Sequence, residues 1–95
     1  MNENISLKGK VNKWEGMTSL NTICPLISSS ITCRAVAVKE DTNFAANPKS
    51  VLNMLSLGIK AGDEIEIILL GEHSELTRDT KTIKQIFSPW VAFSN

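Results

Sequence analysis

The residues of this chain that could carry covalent chemistry are few, and their spacing excludes most kinds of site. Eight residues separate Cys24 from Cys33, which does not match a zinc site, and His73 is the single histidine. Glu64 and Glu66 alternate along a predicted strand, where we expect a solvated face and not an acid–base pair. The sequence therefore predicts no metal site, no cofactor and no enzymatic activity.

Ser50 occupies the position with the clearest chemical meaning. It follows Pro48, which fixes φ just before a run of residues with helical character. The pattern predicts a helix over 50–59 with Ser50 as its N-cap and Gly58 near its end, and such a cap stabilises a helix by about 1 kcal/mol. As a cap, its hydroxyl would accept a hydrogen bond from a backbone N–H of the first turn, which otherwise has no partner within the helix.

The predicted helix is apolar around most of its circumference. At about 100° per residue, Met54 and Leu57 lie on one side. A second apolar side consists of Val51, Leu52, Leu55 and Ile59. Together they span roughly 220°, whereas a surface helix needs little more than 100° to bury. We expect one side to face the core and the other to bind a partner, unless the loop 12–19 or the apolar tail covers it.

Length and composition exclude several classes of protein. Ninety-five residues predict a single domain, 1–95, and 10 basic against 10 acidic residues give no nucleic-acid-binding signature. No apolar run approaches the roughly 18 residues of a membrane span, and no signal peptide begins the chain. We expect a cytoplasmic protein with free thiols that binds neither membrane nor nucleic acid.

Hydrophobic periodicity predicts the elements of the first half. Apolar residues alternate over 5–11, which is typical of a half-buried strand. A helix is predicted within 20–30, either kinked or starting late because Pro25 and three serines lower its propensity. A second strand is predicted over 32–38 and a short third strand over 43–47.

The second half continues the alternation of strands and helices. The strongest strand is predicted over 63–70, and a final helix over 74–87 ends at Pro89. An apolar tail, Trp90–Phe93, follows it. The stripe of the final helix consists of Leu76, Thr80, Ile83 and Phe87. The order βαββαβα predicts an α+β open-faced sandwich, with a four-stranded antiparallel sheet and three helices on one face.

The segment from Asn47 to Gly71, NPKSVLNMLSLGIKAGDEIEIILLG, carries a family resemblance. Its lysine, capping serine, apolar run and glycine-punctuated strand are in register with the regulatory-serine region of HPr. HPr is the small phosphocarrier of the bacterial sugar phosphotransferase system. The resemblance implies an HPr-like fold over the whole chain.

HPr proteins carry a phosphoryl group on a histidine in a Gly-x-His-x-Arg-Pro-like loop after the first strand. Counting back from Ser50 without gaps places that histidine on Ser19 and the arginine on Asn21. With two extra residues in the hairpin after the second strand, the two positions become Met17 and Ser19. Neither register supplies the residues, because no histidine or arginine occurs in the first 33 residues. The degenerate phosphocarrier loop comprises Gly16, Met17, Ser19 and Asn21.

The serine site is retained. In the family, a kinase/phosphorylase modifies the serine that corresponds to Ser50, and the product is corepressor of a LacI-type catabolite-control factor. Lys49 is present, and Val51, Leu52 and Leu55 occupy positions resembling the family's exposed contact patch. The implied partners are an HPr kinase/phosphorylase-like enzyme and a LacI-type regulator or a metabolic enzyme. Asn53 stands where the family usually has glycine.

The retained serine site together with the missing histidine is similar to the pattern of the catabolite-repression HPr-like paralogues of Gram-positive bacteria, which are regulators. Two alternatives stay open. One is a divergent phosphocarrier that uses Ser19, or Cys24 near the start of the first helix. The other is a phosphorylation-independent interaction module, including a homodimer formed through the tail 90–93.

Overall fold

The computed structural model describes residues 2–95, in which an antiparallel sheet is covered on one face by helices. The elements are β1 (Glu3–Val11), α1 (Met17–Ser30), β2 (Arg34–Lys39), β3 (Ala45–Ala46), α2 (Val51–Leu55), β4 (Glu64–Gly71), α3 (His73–Phe87) and β5 (Val91–Phe93). The strand order is β3-β2-β4-β1-β5, with antiparallel pairing throughout. The predicted α+β open-faced sandwich is confirmed, although the sheet has five strands and not four.

The central strands β1 and β4 place alternate side chains in the core. Leu7 pairs with Ile67 across these strands, and both are buried. Leu69 of β4 is also fully buried, while the intervening positions face the other side of the sheet. Each such side chain stabilises the fold by about 1.5–3 kcal/mol through its burial. The period of two in the sequence therefore determines which face carries the helices.

Helix α1 begins at Met17, earlier than the sequence predicts, and runs through Pro25 to Ser30. The expectation of a late start is wrong. Leu20, Ile23 and Ile27 recur at helical spacing and are all buried. Their combined burial outweighs the roughly 3 kcal/mol that an interior proline costs a helix.

The tail forms a strand, which the sequence analysis missed. Strand β5 pairs with β1, and its Val91 lies opposite Val11. A Cβ on Gly9 would lie 2.7 Å from Val91 Cγ1, so the missing side chain is what admits β5. Trp90 and Val91 are buried, which leaves neither available for the homodimer predicted through the tail.

Helix α2 is shorter than predicted and α3 is close to its predicted bounds. After α2 the chain turns at Gly58, whose φ of 61° is readily adopted by glycine. In α3, the apolar residues of the predicted stripe are fully buried: Leu76, Ile83 and Phe87. No helix within residues 2–95 is long and apolar enough to cross a membrane.

Asp79 of α3 is a fully buried anchor for the connection between α1 and β2. Its Oδ2 accepts hydrogen bonds from the backbone N–H groups of Thr32 and Cys33, both at 2.9 Å. Arg78 Nε donates to Oδ1 at 3.1 Å. Burial alone would raise the pKa of Asp79, but these hydrogen bonds outweigh it and hold the pKa below its ordinary value. Nothing in the sequence pattern singled out this residue.

Candidate functional site

Ser50 is the N-cap of α2, as predicted. Its backbone is extended, with φ −112° and ψ 118°, and its Oγ accepts a hydrogen bond from the Asn53 N–H at 3.2 Å. The Ser50 carbonyl accepts from the Met54 N–H at 3.0 Å, which begins the helix. The side chain is half-buried at the surface. The hydroxyl is therefore held at the positive end of α2.

The loop that leads into Ser50 is fixed by its own hydrogen bonds. Asn53 Oδ1 accepts from the Asn47 N–H at 2.8 Å, and Asn47 Oδ1 accepts from the Lys49 N–H at 3.0 Å. The Ser50 N–H donates to the Asn47 carbonyl, also at 3.0 Å. Asn53, where the resemblance leads one to expect glycine, thus ties the loop to the first turn of α2. This arrangement pre-positions Ser50.

One side of α2 is buried and the other faces solvent. Met54 and Leu57 lie in the core, whereas Leu52 is 78% exposed and Leu55 is 48% exposed. Val51, Lys49 and Ile59 are half-buried. We name Val51, Leu52 and Leu55 the α2 patch. Leu52 is therefore uncovered, whereas Leu55 and Val51 are each covered in part.

The degenerate phosphocarrier loop leads directly into α1. Gly16 is the N-cap residue, with φ 59°, and Met17 is the first helical residue with an exposed side chain. Asn21 is exposed on α1. Ser19 is fully buried, and its Oγ accepts a hydrogen bond from the Glu15 N–H at 2.9 Å. In the two registers the histidine position therefore falls on Met17, the first residue of α1, or on Ser19 within that helix.

Aromatic residues anchor the same loop to the end of the chain. Trp90 Nε1 donates to Glu15 Oε1 at 2.9 Å, and the rings of Trp14 and Trp90 meet edge to face at 6.5 Å. The Trp90 carbonyl also accepts from the Asn12 N–H at 2.8 Å. Trp14 is half-buried and packs against the hydrophobic core. A carboxylate beside the start of α1 would repel a phosphoryl group there.

The remaining candidate residues are poorly placed for chemistry. Cys24 and Cys33 are buried, and burial raises the pKa of each thiol to about 11. Cys24 lies in the second turn of α1 and not at its start, because α1 begins at Met17. His73 is exposed at the start of α3, with Nδ1 3.5 Å from Glu3 Oε2. Among residues 2–95, no three His, Cys, Asp or Glu side chains converge as a metal site requires.

Comparison with known proteins assigns the chain to a family. The model of the PTS-HPr family, described as the PTS HPr component phosphorylation site, matches residues 21–86. The chain belongs to the HPr family. The match contains Ser50 and the whole α2 patch, and it begins after Gly16, Met17 and Ser19. A search of curated proteins finds no match.

Solved HPr structures share the fold. The histidine-containing phosphocarrier protein of Mycoplasma superposes with a TM-score of 0.71 at 18% identity, covering 90% of this chain and 93% of that one. HPr-C-His from Thermoanaerobacter tengcongensis superposes with a TM-score of 0.53 at 16% identity, covering 93% and 96%. This HPr-family chain thus has the HPr fold, and its first 33 residues contain neither histidine nor arginine.

Proposed function

We propose that this HPr-family protein is a regulator of the phosphotransferase system and carbon catabolite control, switched by phosphorylation at Ser50. One observation carries the proposal: Ser50 caps α2 directly beside the exposed Leu52 and Leu55. Because the first 33 residues contain no histidine, a regulatory role is better supported than a role in phosphoryl transfer. The protein is expected in the cytoplasm.

The local chemistry suits a phosphoryl group on Ser50. Phosphorylation adds close to two negative charges and three strong acceptor oxygens. The Asn53 N–H, which now donates to Oγ, is available to donate to a phosphate oxygen at the same helix terminus. Lys49 precedes the site and supplies a nearby cation. An HPr kinase/phosphorylase-like enzyme would add the group without unfolding α2.

The α2 patch would be recognised together with the phosphate. Leu52 and Leu55 present apolar surface within one helical turn of Ser50, so a partner can bury both while it binds the charge. Such a partner combines an apolar groove with basic side chains. A LacI-type catabolite-control regulator or a metabolic enzyme fits this description.

Of the two alternative functions, the divergent phosphocarrier is poorly supported by the structure and the interaction module is better supported. A divergent phosphocarrier would need Ser19 or Cys24 as acceptor, but both side chains are fully buried and Ser19 Oγ is already hydrogen-bonded. We do not retain that alternative. A phosphorylation-independent interaction module is the second candidate, because the α2 patch is exposed without any phosphate.

Incubation with ATP and an HPr kinase/phosphorylase is expected to add one phosphoryl group, detected by intact mass. Ser50→Ala should abolish the addition while it lowers stability by only about 1 kcal/mol, through loss of the cap. Ser56→Ala is the matched control, since Ser56 is an exposed serine at the other end of α2, and it should be phosphorylated normally. No added mass on the wild-type chain would contradict the switch and favour the interaction module.

The double variant Leu52→Ser/Leu55→Ser is expected to weaken binding of the phosphorylated protein to a catabolite-control regulator by about 10-fold or more. Its unfolding free energy should fall by about 0.5 kcal/mol at Leu52, which is largely exposed, and by about 1 kcal/mol at Leu55, which is half-buried. Calorimetric titration and urea denaturation measure the two effects. Leu26→Ser on α1 is the control of similar exposure, and an equal loss of binding there would contradict the assignment to the α2 patch.

A further inference from the structure

The face of the sheet opposite the helices is open to solvent in the described part of the chain. We name it the outer face. Its side chains come from alternate positions of four strands and the residues that follow them: Asn4, Ser6, Lys8, Lys10, Arg34, Val36, Val38, Glu40, Glu64, Glu66, Ile68, Leu70, Ala92 and Ser94. This face lies away from the α2 patch, which belongs to the helical side.

On the two central strands of the outer face, the charges are sorted by strand, while Arg34 and Glu40 lie outside these two rows, on β2 and just after it. The lysines lie on β1 and the glutamates on β4, with Lys8 opposite Glu66 and Lys10 opposite Glu64 in the register. Within residues 2–95 no ion pair joins either lysine to its neighbouring glutamate. The two rows are therefore not joined to each other by ion pairs, and both lysines are exposed to charges of another molecule.

The glutamates of β4 have other contacts. Glu66 accepts a hydrogen bond from the Ser6 hydroxyl. The carboxyl groups of Glu64 and Glu40 lie close enough that their hydrogen bond and like charge raise the pKa of Glu40. Such a like-charged pair gains from a cation brought by a binding partner.

The shape of the outer face suits insertion of side chains. A concavity of about 400 Å³ lies between the charged rows, lined by Lys8, Lys10, Val38, Glu64, Glu66 and Ser94 among others. An apolar strip flanks it, formed where Val36 of β2 lies opposite Ile68 of β4. Both are half-buried, and Leu70 is 39% exposed. Covering this strip would remove apolar surface from water.

We propose that the outer face binds a second copy of this chain across a twofold axis that runs between β1 and β4. Rotation about an axis parallel to the strands exchanges β1 with β4. Because Lys8 and Glu66 lie side by side, the rotation places Lys8 of one copy over Glu66 of the other, and Glu66 over Lys8. Lys10 and Glu64 meet in the same way. Val38 of β2 is level with Glu66 and Lys8, so it falls near Ser94, which follows β5.

Charge complementarity selects a second copy over a foreign partner. A uniformly acidic surface would pair with the lysines but repel the glutamates, and a basic surface would do the reverse. A second copy of the same face carries both rows, and the twofold axis places its glutamates over the lysines and its lysines over the glutamates. The zero net charge of the chain adds no overall repulsion between copies.

Light scattering with size-exclusion chromatography and sedimentation equilibrium test the proposal on the full chain. At low salt we expect a monomer–dimer equilibrium that shifts toward monomer as salt is added. Lys10→Glu and Glu64→Lys should each raise the dissociation constant by about 10-fold or more, because each places like charges together. Lys81→Glu, the same charge change on an exposed position of α3, should leave it unchanged.

Mixing the two weakened variants provides the sharpest result. In an equimolar mixture of Lys10→Glu and Glu64→Lys, both of these contacts again join opposite charges, so the heterodimer should form. A wild-type chain that stays monomeric up to about 1 mM would overturn the proposal. So would a mixture that fails to dimerise, or a dimer lost in Leu52→Ser/Leu55→Ser. None of these outcomes depends on phosphorylation of Ser50.

Discussion

Asp79→Ala is expected to lower the free energy of unfolding by about 3–5 kcal/mol. The substitution leaves the backbone N–H groups of Thr32 and Cys33 without their acceptor at a site where Asp79 is fully buried. Each buried donor without a partner costs about 1–3 kcal/mol. The connection between α1 and β2 should therefore loosen together with α3.

Urea denaturation followed by circular dichroism measures this loss. Asp41→Ala removes a carboxylate that is mostly exposed and ion-paired with Lys39, so we expect a loss of no more than about 1 kcal/mol. Asp79→Asn keeps the shape of the side chain and one acceptor oxygen, so its loss of unfolding free energy should lie between those of Asp79→Ala and Asp41→Ala. If Asp79→Ala and Asp41→Ala were equally stable, the anchoring role of Asp79 would be wrong.

The same carboxylate predicts an acid dependence of stability. Hydrogen bonds hold the pKa of Asp79 below its ordinary value in the folded state, although burial opposes them. Its contribution is therefore fully present above the ordinary aspartate pKa of about 3.9, and it is lost as the pH falls through the lower folded-state value. We expect wild-type stability to fall more steeply below about pH 4 than that of Asp79→Ala.

Trp90→Ala should destabilise the protein by about 3–5 kcal/mol and free the loop before α1. Trp90 is only 6% exposed, and its indole holds Glu15 by a hydrogen bond and Trp14 by an edge-to-face contact. Losing the ring would leave a large cavity at the start of β5. Thermal denaturation measures the stability, and fluorescence of the remaining Trp14 reports the loop.

Trp90→Phe separates packing from hydrogen bonding in that prediction. It keeps an aromatic ring but removes the N–H donor to Glu15, so a loss of about 1 kcal/mol is expected. A loss in Trp90→Phe as large as that in Trp90→Ala would assign the effect to the Glu15 hydrogen bond. Near-wild-type stability of Trp90→Ala would show that the tail does not anchor the loop.

The features predicted correctly are those with a local period. Alternation over 5–11 and 63–70 and the helical stripe of Leu76, Ile83 and Phe87 report burial directly, because neighbours in sequence share one face. Strand β5 has only three residues, and it forms because Gly9, far away in sequence, leaves room for it. No local pattern contains that information.

In the candidate site, too, the features with a helical period were predicted and the contacts between loops were not. Ser50 as a cap and the two sides of α2 follow from helical geometry and were predicted. The link from Asn53 to Asn47 and the bond from Trp90 to Glu15 join polar groups across loops, where no periodicity exists. Asp79 is the clearest case of a residue that could not be predicted. In the sequence, a buried acidic residue of a helix looks the same as an exposed one.

The burial of both native thiols makes this chain convenient for site-specific labelling. At neutral pH a thiol with a pKa of about 11 is almost entirely protonated, and maleimides react with the accessible thiolate. Leu52→Cys would therefore place one reactive handle on the α2 patch without prior removal of Cys24 or Cys33. A fluorophore at that position would report partner docking by its change in emission.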